Sequence, residues 1–153
     1  MMMKMIEAKR DKLMHPFHLA FPVSDLEATR QFYIEKLGCP AGRESAGEWL
    51  DFDLFGHQMS AHLRTGQHKM GAALGVVDGD AVPIPHFGVV LDVATFDGLA
   101  AKLAADRSID WIMQPKRRMV GEPGEQATMF LRDPSGNAIE FKAFADPTAL
   151  FAS

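Results

Sequence analysis

Apolar and polar residues form two similar patterns along the chain, and each begins with a short strand followed by a helix. The first strand is predicted over residues 17–23 and the first helix over residues 24–38. Ser24 or Asp25 can cap this helix, and Gly38 can end it. Further strands are predicted over residues 41–45, 48–55 and 57–63. The first pattern therefore predicts the element order βαβββ.

The same order of elements repeats in the second half of the chain. A strand is predicted over residues 86–93 and a helix over residues 95–106, with its leucines turned inward. Three strands are then predicted over residues 109–114, 126–131 and 137–144. The second pattern is again βαβββ, so we expect an α+β fold built from two modules of this kind.

The boundaries of the chain's regions follow from the two patterns. Residues 64–85 are rich in Gly, Asp and Pro, which is typical of a connector. We therefore expect a single domain over residues 16–144, with module one over 16–63 and module two over 86–144. An N-terminal arm is expected over residues 1–15 and a C-terminal tail over residues 145–153.

Composition and charge limit the partners of this domain. The 153 residues are 47% hydrophobic and 24% charged, which are ordinary globular proportions. The formal net charge of −4 argues against a nucleic-acid-binding face, and no apolar stretch approaches the length that crosses a bilayer. Cys39 is the single cysteine and lacks a catalytic signature, which favours a filler role and a cytoplasmic location. The expected partner is a small molecule, rather than nucleic acid or a membrane.

Candidate metal ligands lie at corresponding places in the two patterns. Superimposing the modules sets His18 beside His86, near the start of each first strand, and His62 beside Glu140, near the end of each last strand. Glu140 has apolar neighbours in its strand, where an unpaired carboxylate is costly. A cation would neutralise it, and two neutral imidazoles with one carboxylate form the facial triad of a mononuclear metal site. His18, His86 and Glu140 are therefore the predicted triad.

Each of these residues also has an ordinary alternative role. A histidine on a strand is usually a hydrogen-bonded core or surface residue, and Glu140 could instead form an ion pair with Arg132 or Lys142. Their joint placement at equivalent ends of a repeated unit favours the metal site. His62 would either supply a fourth ligand or face the substrate as a catalytic acid or base.

Three stretches of the sequence resemble the vicinal oxygen chelate superfamily over roughly residues 16–144. This group includes glyoxalase I, methylmalonyl-CoA epimerase, extradiol dioxygenases and the fosfomycin and bleomycin resistance proteins. The stretches are HLAFPVSDL (18–26) with FYIEKLG (32–38), PHFGVV (85–90) and FLRDPSGNAIE (130–140). The resemblance implies that the two modules form a curved mixed sheet around a metal-binding cleft. There the predicted triad would hold one divalent metal that binds two vicinal oxygens of the substrate.

Two departures from individual members bear on the reaction. Extradiol dioxygenases have a histidine several residues before the aromatic of their final motif and usually a tyrosine as that aromatic. Residues 121–126 contain no histidine, and the aromatic here is Phe130. Glyoxalase I and the epimerase generally place Glu or Gln where this chain has His62. The expected function is a metal-dependent dioxygenase, lyase or isomerase acting on a small oxygenated molecule, and the alternative is a non-catalytic small-molecule or drug-binding protein of the resistance type.

Further expectations concern substrate contacts, the metal and assembly. Arg43, His57 and Phe130 are candidate substrate-binding residues, with a solvated charge, a turn cap and a core position as their alternatives. Imidazole and carboxylate ligands suit Fe(II), Mn(II), Zn(II) and Ni(II), so the ligand types do not determine which of these metals binds. We expect a homodimer, because family members with two modules per chain commonly complete their sheets by pairing or swapping modules across a two-fold axis.

Overall fold

The structure is a computed structural model that describes residues 15–66, 73–77 and 79–152. The predicted N-terminal arm lies outside these residues except for His15. No helix in the described ranges is long and apolar enough to cross a membrane. The elements in chain order are β1 His18–Val23, α1 Leu26–Arg30 continued by a π-helical segment Gln31–Lys36, β2 Ala41–Ser45, β3 Trp49–Leu54, β4 His57–Leu63, β5 Ala73–Val77, β6 Asp80–Ile84, β7 Phe87–Leu91, α2 Val93–Ala104, β8 Asp110–Arg118, β9 Gln126–Arg132, β10 Ala138–Phe144 and a 3₁₀ turn Pro147–Phe151.

Two four-stranded sheets form the framework. Their strand orders are β1-β4-β3-β2 and β7-β10-β9-β8. In each sheet the first strand of the module pairs parallel with the last, and the remaining pairs are antiparallel. The predicted α+β fold of two βαβββ modules is therefore confirmed. Both helices begin at aspartate caps: Asp25 accepts a hydrogen bond from the Ala28 amide, and Asp92 accepts one from the Thr95 amide.

The stretch predicted as a connector contains a β-hairpin made of β5 and β6. Gly79 forms the turn with a positive φ of 83°. The turn-forming residues dominate the composition of this stretch and hide two short apolar runs, which is why the pattern predicted no strands there. Arg118 ties the hairpin to module two, since its guanidinium donates to the Val77 carbonyl at 3.0 Å and lies 3.0 Å from the Asp80 carboxylate.

One hydrophobic core joins the two modules. Strand residues at alternate positions of both sheets contribute to it together with the inward faces of the helices. Phe21 of β1 packs on Phe87 of β7 with 5.2 Å between ring centroids, and Phe55 packs edge-on against Phe141 at 5.8 Å. Because these positions turn toward the shared core, the intervening residues of each strand face away from it. Those outward faces carry His18, His62 and Glu140.

The turn at residues 133–137 fastens module two to module one. The Asp133 carboxylate is buried and accepts hydrogen bonds from the Tyr33 hydroxyl and the Asn137 side-chain amide, both at 2.9 Å. Asn137 also donates to the Pro22 carbonyl at 3.0 Å. Burial raises the pKa of Asp133, although the donated hydrogen bonds oppose this, and burial with the nearby Asp133 raises the pKa of Tyr33 well above its usual range.

Cys39 should resist alkylation in the folded protein. Its side chain is buried, and this burial raises the pKa of the thiol to about 12. At pH 8 only about one molecule in ten thousand would then carry the reactive thiolate. We expect iodoacetamide to label Cys39 orders of magnitude more slowly in buffer than in guanidinium chloride, as measured by intact mass spectrometry. Equal labelling rates in the two conditions would contradict a buried filler role.

Candidate metal site

His86 and Glu140 lie side by side on the outward face of module two. The Nε2 atom of His86 is 3.5 Å from Oε1 of Glu140. The Nδ1 atom of His86 lies 2.6 Å from the Pro83 carbonyl. Because a carbonyl oxygen can only accept a hydrogen bond, this contact places the proton on Nδ1 and leaves the Nε2 lone pair free in the neutral ring. A nitrogen lone pair is thereby directed at a carboxylate oxygen.

The other contacts of Glu140 leave this same oxygen without a strong partner. Oε2 accepts a hydrogen bond from the Thr128 hydroxyl at 2.7 Å. The Lys142 ammonium approaches Oε1 only to 4.0 Å, and Arg132 donates to the Gly136 carbonyl instead. The ion-pair alternative for Glu140 therefore rests on one distant lysine. Oε1 and the His86 nitrogen are close enough to bind one cation, since donors about 2.0–2.2 Å from an ion lie within about 4.4 Å of each other.

Strand pairing determines how these two side chains meet. Glu140 on β10 lies opposite Gly88 on β7, two residues after His86. A Cβ atom at position 88 would come within 1.5 Å of the Glu140 carbonyl oxygen, so only glycine fits there. Phe130 lies opposite Glu140 on β9, and its buried ring packs edge-on against His86 at 4.9 Å. Phe130 thus lies on the same face of module two as Glu140, where its ring supports the imidazole.

The register of module one corrects the proposed match between His62 and Glu140. On β1 and β4, His18 lies opposite Gln58 and His62 lies opposite Pro22, four residues further along. Ala20, two residues after His18, lies opposite Ser60. In module two, Gly88, two residues after His86, lies opposite Glu140. Ser60, rather than His62, is therefore the counterpart of Glu140. The sequence comparison was wrong because it aligned the strands by their ends, whereas the parallel pairing fixes their offset.

The structure brings together two of the three predicted triad residues. Over the ranges 15–66, 73–77 and 79–152, no three His, Cys, Asp or Glu side chains lie close enough to hold a metal. His18 is exposed on the outward face of module one, and His62 lies about 13 Å further along that pair of strands at about 3.3 Å per residue. Within the described parts of one chain, His86 and Glu140 therefore form a pair of candidate donors without a third.

Two of the predicted substrate contacts line one cavity in module one. The cavity has a volume of about 380 Å³. His57 is held there because its Nδ1 accepts a hydrogen bond from the Phe17 amide at 2.9 Å. Its polar lining includes Arg43, Asp51, Asp53, His57 and Gln58, and Gly42 also lines it.

Asp51 is a candidate functional residue that the sequence reasoning missed. Its side chain is 6% exposed and accepts hydrogen bonds from the Ser60 hydroxyl at 2.6 Å and the Gln58 amide at 3.3 Å. The run WLDFDL (49–54) contains the sequence signal for this residue. Its strict alternation of apolar and acidic positions turns both acids away from the core. An acid at such a position, between large apolar residues, faces the same side of the sheet as His18.

Comparisons with known proteins extend these observations. The family model described as the Glyoxalase/Bleomycin resistance protein/Dioxygenase superfamily matches residues 15–141. A crystal structure of a glyoxalase/bleomycin resistance protein/dioxygenase from Alicyclobacillus acidocaldarius is 31% identical, with a TM-score of 0.72 over 90% of this chain and 96% of that chain. No curated protein matches this chain.

Two more distant structures share the fold. The fosfomycin resistance protein FosX from Listeria monocytogenes is 14% identical, with a TM-score of 0.64 over 90% of this chain and 98% of that chain. Lactoylglutathione lyase from Agrobacterium tumefaciens is 18% identical, with a TM-score of 0.57 over 84% of this chain and 92% of that chain. At these identities the likeness concerns the arrangement of strands and helices.

Proposed function

We propose that this chain, which belongs to the Glyoxalase/Bleomycin resistance protein/Dioxygenase superfamily, is a metal-dependent enzyme acting on a small oxygenated molecule. The observation that carries the proposal is the contact between His86 and Glu140. The Pro83 carbonyl fixes the tautomer of the imidazole, and Thr128 occupies the far oxygen of the carboxylate. Such outer contacts are typical of metal ligands, because they orient the donor atoms before the ion binds.

His86, Glu140 and His18 would hold the ion, and the ion would act as a Lewis acid toward two neighbouring substrate oxygens. Thr128 and Pro83 keep the donors in place, while the ring of Phe130 packs edge-on against the imidazole. The absence of a histidine from residues 121–126 and the phenylalanine, rather than tyrosine, at position 130 favour a lyase or isomerase over a ring-cleaving dioxygenase.

A second copy of the chain would supply the third ligand. The core faces of both sheets pack against each other, so the face with His18 and the face with His86 and Glu140 point away from a shared interior. A two-fold dimer can bring the module-one face of one chain to the module-two face of the other. We therefore place His18 of one protomer with His86 and Glu140 of its partner, in line with the expected homodimer.

Mixing two inactive variants tests this arrangement. In a dimer of one His18→Ala chain and one Glu140→Ala chain, one site loses both ligands and the other keeps all three. Equal coexpression with random pairing should then restore about one quarter of the wild-type metal content, although each variant alone binds almost none. Metal is measured by plasma mass spectrometry after gel filtration of protein purified without added metal.

The control mixes His86→Ala with Glu140→Ala, which lie in the same module. No pairing of those two chains contains an intact site under this arrangement, so their mixture should stay empty. Equal recovery in both mixtures, or none in the first, would argue against a site shared between protomers. Wild-type protein that binds no divalent metal would reject the metal-dependent function itself.

The role of His62 can be separated from that of the triad. The strand register places His62 four residues beyond His18, which favours a contact with substrate over coordination. We expect His62→Ala to keep the wild-type metal affinity in equilibrium dialysis while turnover falls by about a hundredfold, the scale of a lost general acid or base. A loss of metal affinity by tenfold or more would instead make His62 a ligand.

A non-catalytic binding protein is the second candidate function. The observation that favours it is the cavity of about 380 Å³ in module one, which contains both charged and apolar residues. Such a protein would bind its ligand equally well after chelation of divalent metal. Under that function, the His86→Ala and Glu140→Ala variants would also keep the wild-type ligand affinity.

A further inference from the structure

The cavity in module one contains a buried carboxylate that pairs with no cationic side chain among the described residues. Asp51 forms no ion pair with any residue in the described ranges, and its two hydrogen-bond donors, Ser60 and Gln58, are both neutral. A carboxylate can accept about four hydrogen bonds, so these two contacts leave acceptor capacity on both oxygens. A buried charge of this kind is costly unless a positive group compensates it. Asp51 is therefore suited to bind a cationic group that enters the cavity.

A positive side chain lines the same cavity from the neighbouring strand. Arg43 lies on β2, is exposed, and makes no hydrogen bond or ion pair within the parts of the chain that the structure describes. Asp53 is also exposed there, and one of its oxygens accepts the Gly56 amide at 2.6 Å. With His57 neutral, the lining carries one more negative charge than positive charge. The cavity thus offers both a site for a cation and a separate site for an anion.

Strand β2 keeps the cavity open next to Asp51. Gly42 lines the cavity, and a Cβ atom there would lie 3.0 Å from the Cβ of Asp51. The pairing of β2 with β3 also shifts between Ala41 and Glu44, which is typical of a β-bulge. Bulges commonly redirect side chains next to binding sites. Arg43 lies within this irregular segment.

We infer that this cavity binds a small zwitterion, with its ammonium group at Asp51 and its anionic group at Arg43. Neither a simple amine nor a simple carboxylate would satisfy both side chains. Gln58 lines the cavity and lies opposite His18, so the bound molecule would lie beside the face that carries the proposed metal ligand. The binding itself uses no metal ligand, and the inference stands apart from the proposed reaction.

A set of matched small molecules tests the inference on the full chain. The zwitterions glycine, β-alanine and γ-aminobutyrate differ in length, while butylamine and butyrate each carry only one of the two charges. Amide NMR spectra at pH 7 and constant ionic strength follow the backbone signals of Gly42, Gly56 and Gln58. We expect at least one zwitterion to shift these signals with an affinity at least about tenfold higher than that of either singly charged molecule. Titrations with and without a chelator should agree.

Two variants test which side chain binds the ammonium group of the zwitterion and which binds its anionic group. Asp51→Asn keeps the shape of the side chain and should weaken binding of that zwitterion by at least about tenfold, the scale of a lost hydrogen bond between charged groups. Arg43→Gln should remove the preference for the zwitterion over butylamine. Asp110→Asn is the matched control, since Asp110 is an exposed acid in module two that does not line this cavity, and its binding should equal wild type.

Each possible result of these titrations either supports or overturns the inference. If Asp51→Asn fails to fold, the selectivity of the wild type and the effect of Arg43→Gln decide the question. The inference is overturned if none of the three zwitterions shifts the cavity signals, if butyrate or butylamine binds as well as they do, or if Arg43→Gln leaves the selectivity unchanged. A wild-type protein that binds the zwitterion but is unable to bind any divalent metal would reject the proposed reaction while supporting this site.

Discussion

Glu140→Ala and His86→Ala should each remove nearly all of the divalent metal that the wild-type protein holds. Each change deletes a direct donor from a site with three protein ligands. Loss of an outer-shell contact already lowers metal affinity by about 10–100-fold, so loss of a ligand should lower it by about a hundredfold or more. Metal content per chain, measured by plasma mass spectrometry on protein purified without added metal, should fall from about one ion to a trace.

The matched control removes an acid that has no place in the site. Glu35 is exposed on the helix of module one, and Glu35→Ala should keep the wild-type metal content. Circular dichroism would verify that all variants fold. Full metal occupancy in either His86→Ala or Glu140→Ala, with the fold intact, would exclude that residue as a ligand.

Gly88→Ala should be among the most destabilising single substitutions in the chain. The added Cβ atom would lie 1.5 Å from the carbonyl oxygen of Glu140 and 2.6 Å from its carbonyl carbon, and backbone atoms cannot yield as a flexible side chain can. The two parallel strands would have to separate where they align His86 with Glu140. We expect a loss of about 3 kcal/mol or more in the free energy of unfolding, at or above the upper range for overpacked interiors. Urea unfolding followed by circular dichroism measures it.

A second glycine offers the comparison. Gly98 lies in α2, and a Cβ atom there would meet nothing within 4 Å. Gly98→Ala should therefore stabilise the protein by about 0.5–1 kcal/mol, because alanine is the better helix former. If both substitutions had similar effects on unfolding, the close approach of β7 and β10 at Gly88 would be refuted.

The elements of the fold could be predicted because their signals are local. Alternation along β3 and the caps and periodicity of both helices depend on residues a few positions apart, and each of these elements formed close to its predicted bounds. The predicted strand at residues 109–114 extends to Arg118 in the structure, because pairing with β9 continues past the apolar run. The hairpin β5–β6 was hidden by its turn-forming residues. Local pattern therefore predicted which elements form more reliably than where they end.

The candidate site depended on relations that no local pattern contains. His86 and Glu140 lie far apart in sequence, and their contact follows from a repeat that is visible in the sequence. The place of His62 could not be predicted in the same way, since a shift of two residues in the pairing of β1 and β4 replaces it by Ser60 as the counterpart of Glu140. Asp51 required knowing which face of β3 borders a cavity. Both facts depend on strand register and on how whole sheets pack, which a local sequence pattern does not contain.

The shared core and the turn around Asp133 make each module depend on the other for part of its buried contacts. The sequence divides into two modules of similar pattern, which suggests two autonomous halves. Separation would expose the apolar faces of both sheets and leave the Asp133 carboxylate without the Tyr33 hydroxyl. We therefore expect that neither half would remain folded alone, because each would lose the apolar burial that it shares with the other. On that expectation the two modules fold together as one unit, although their sequence patterns repeat.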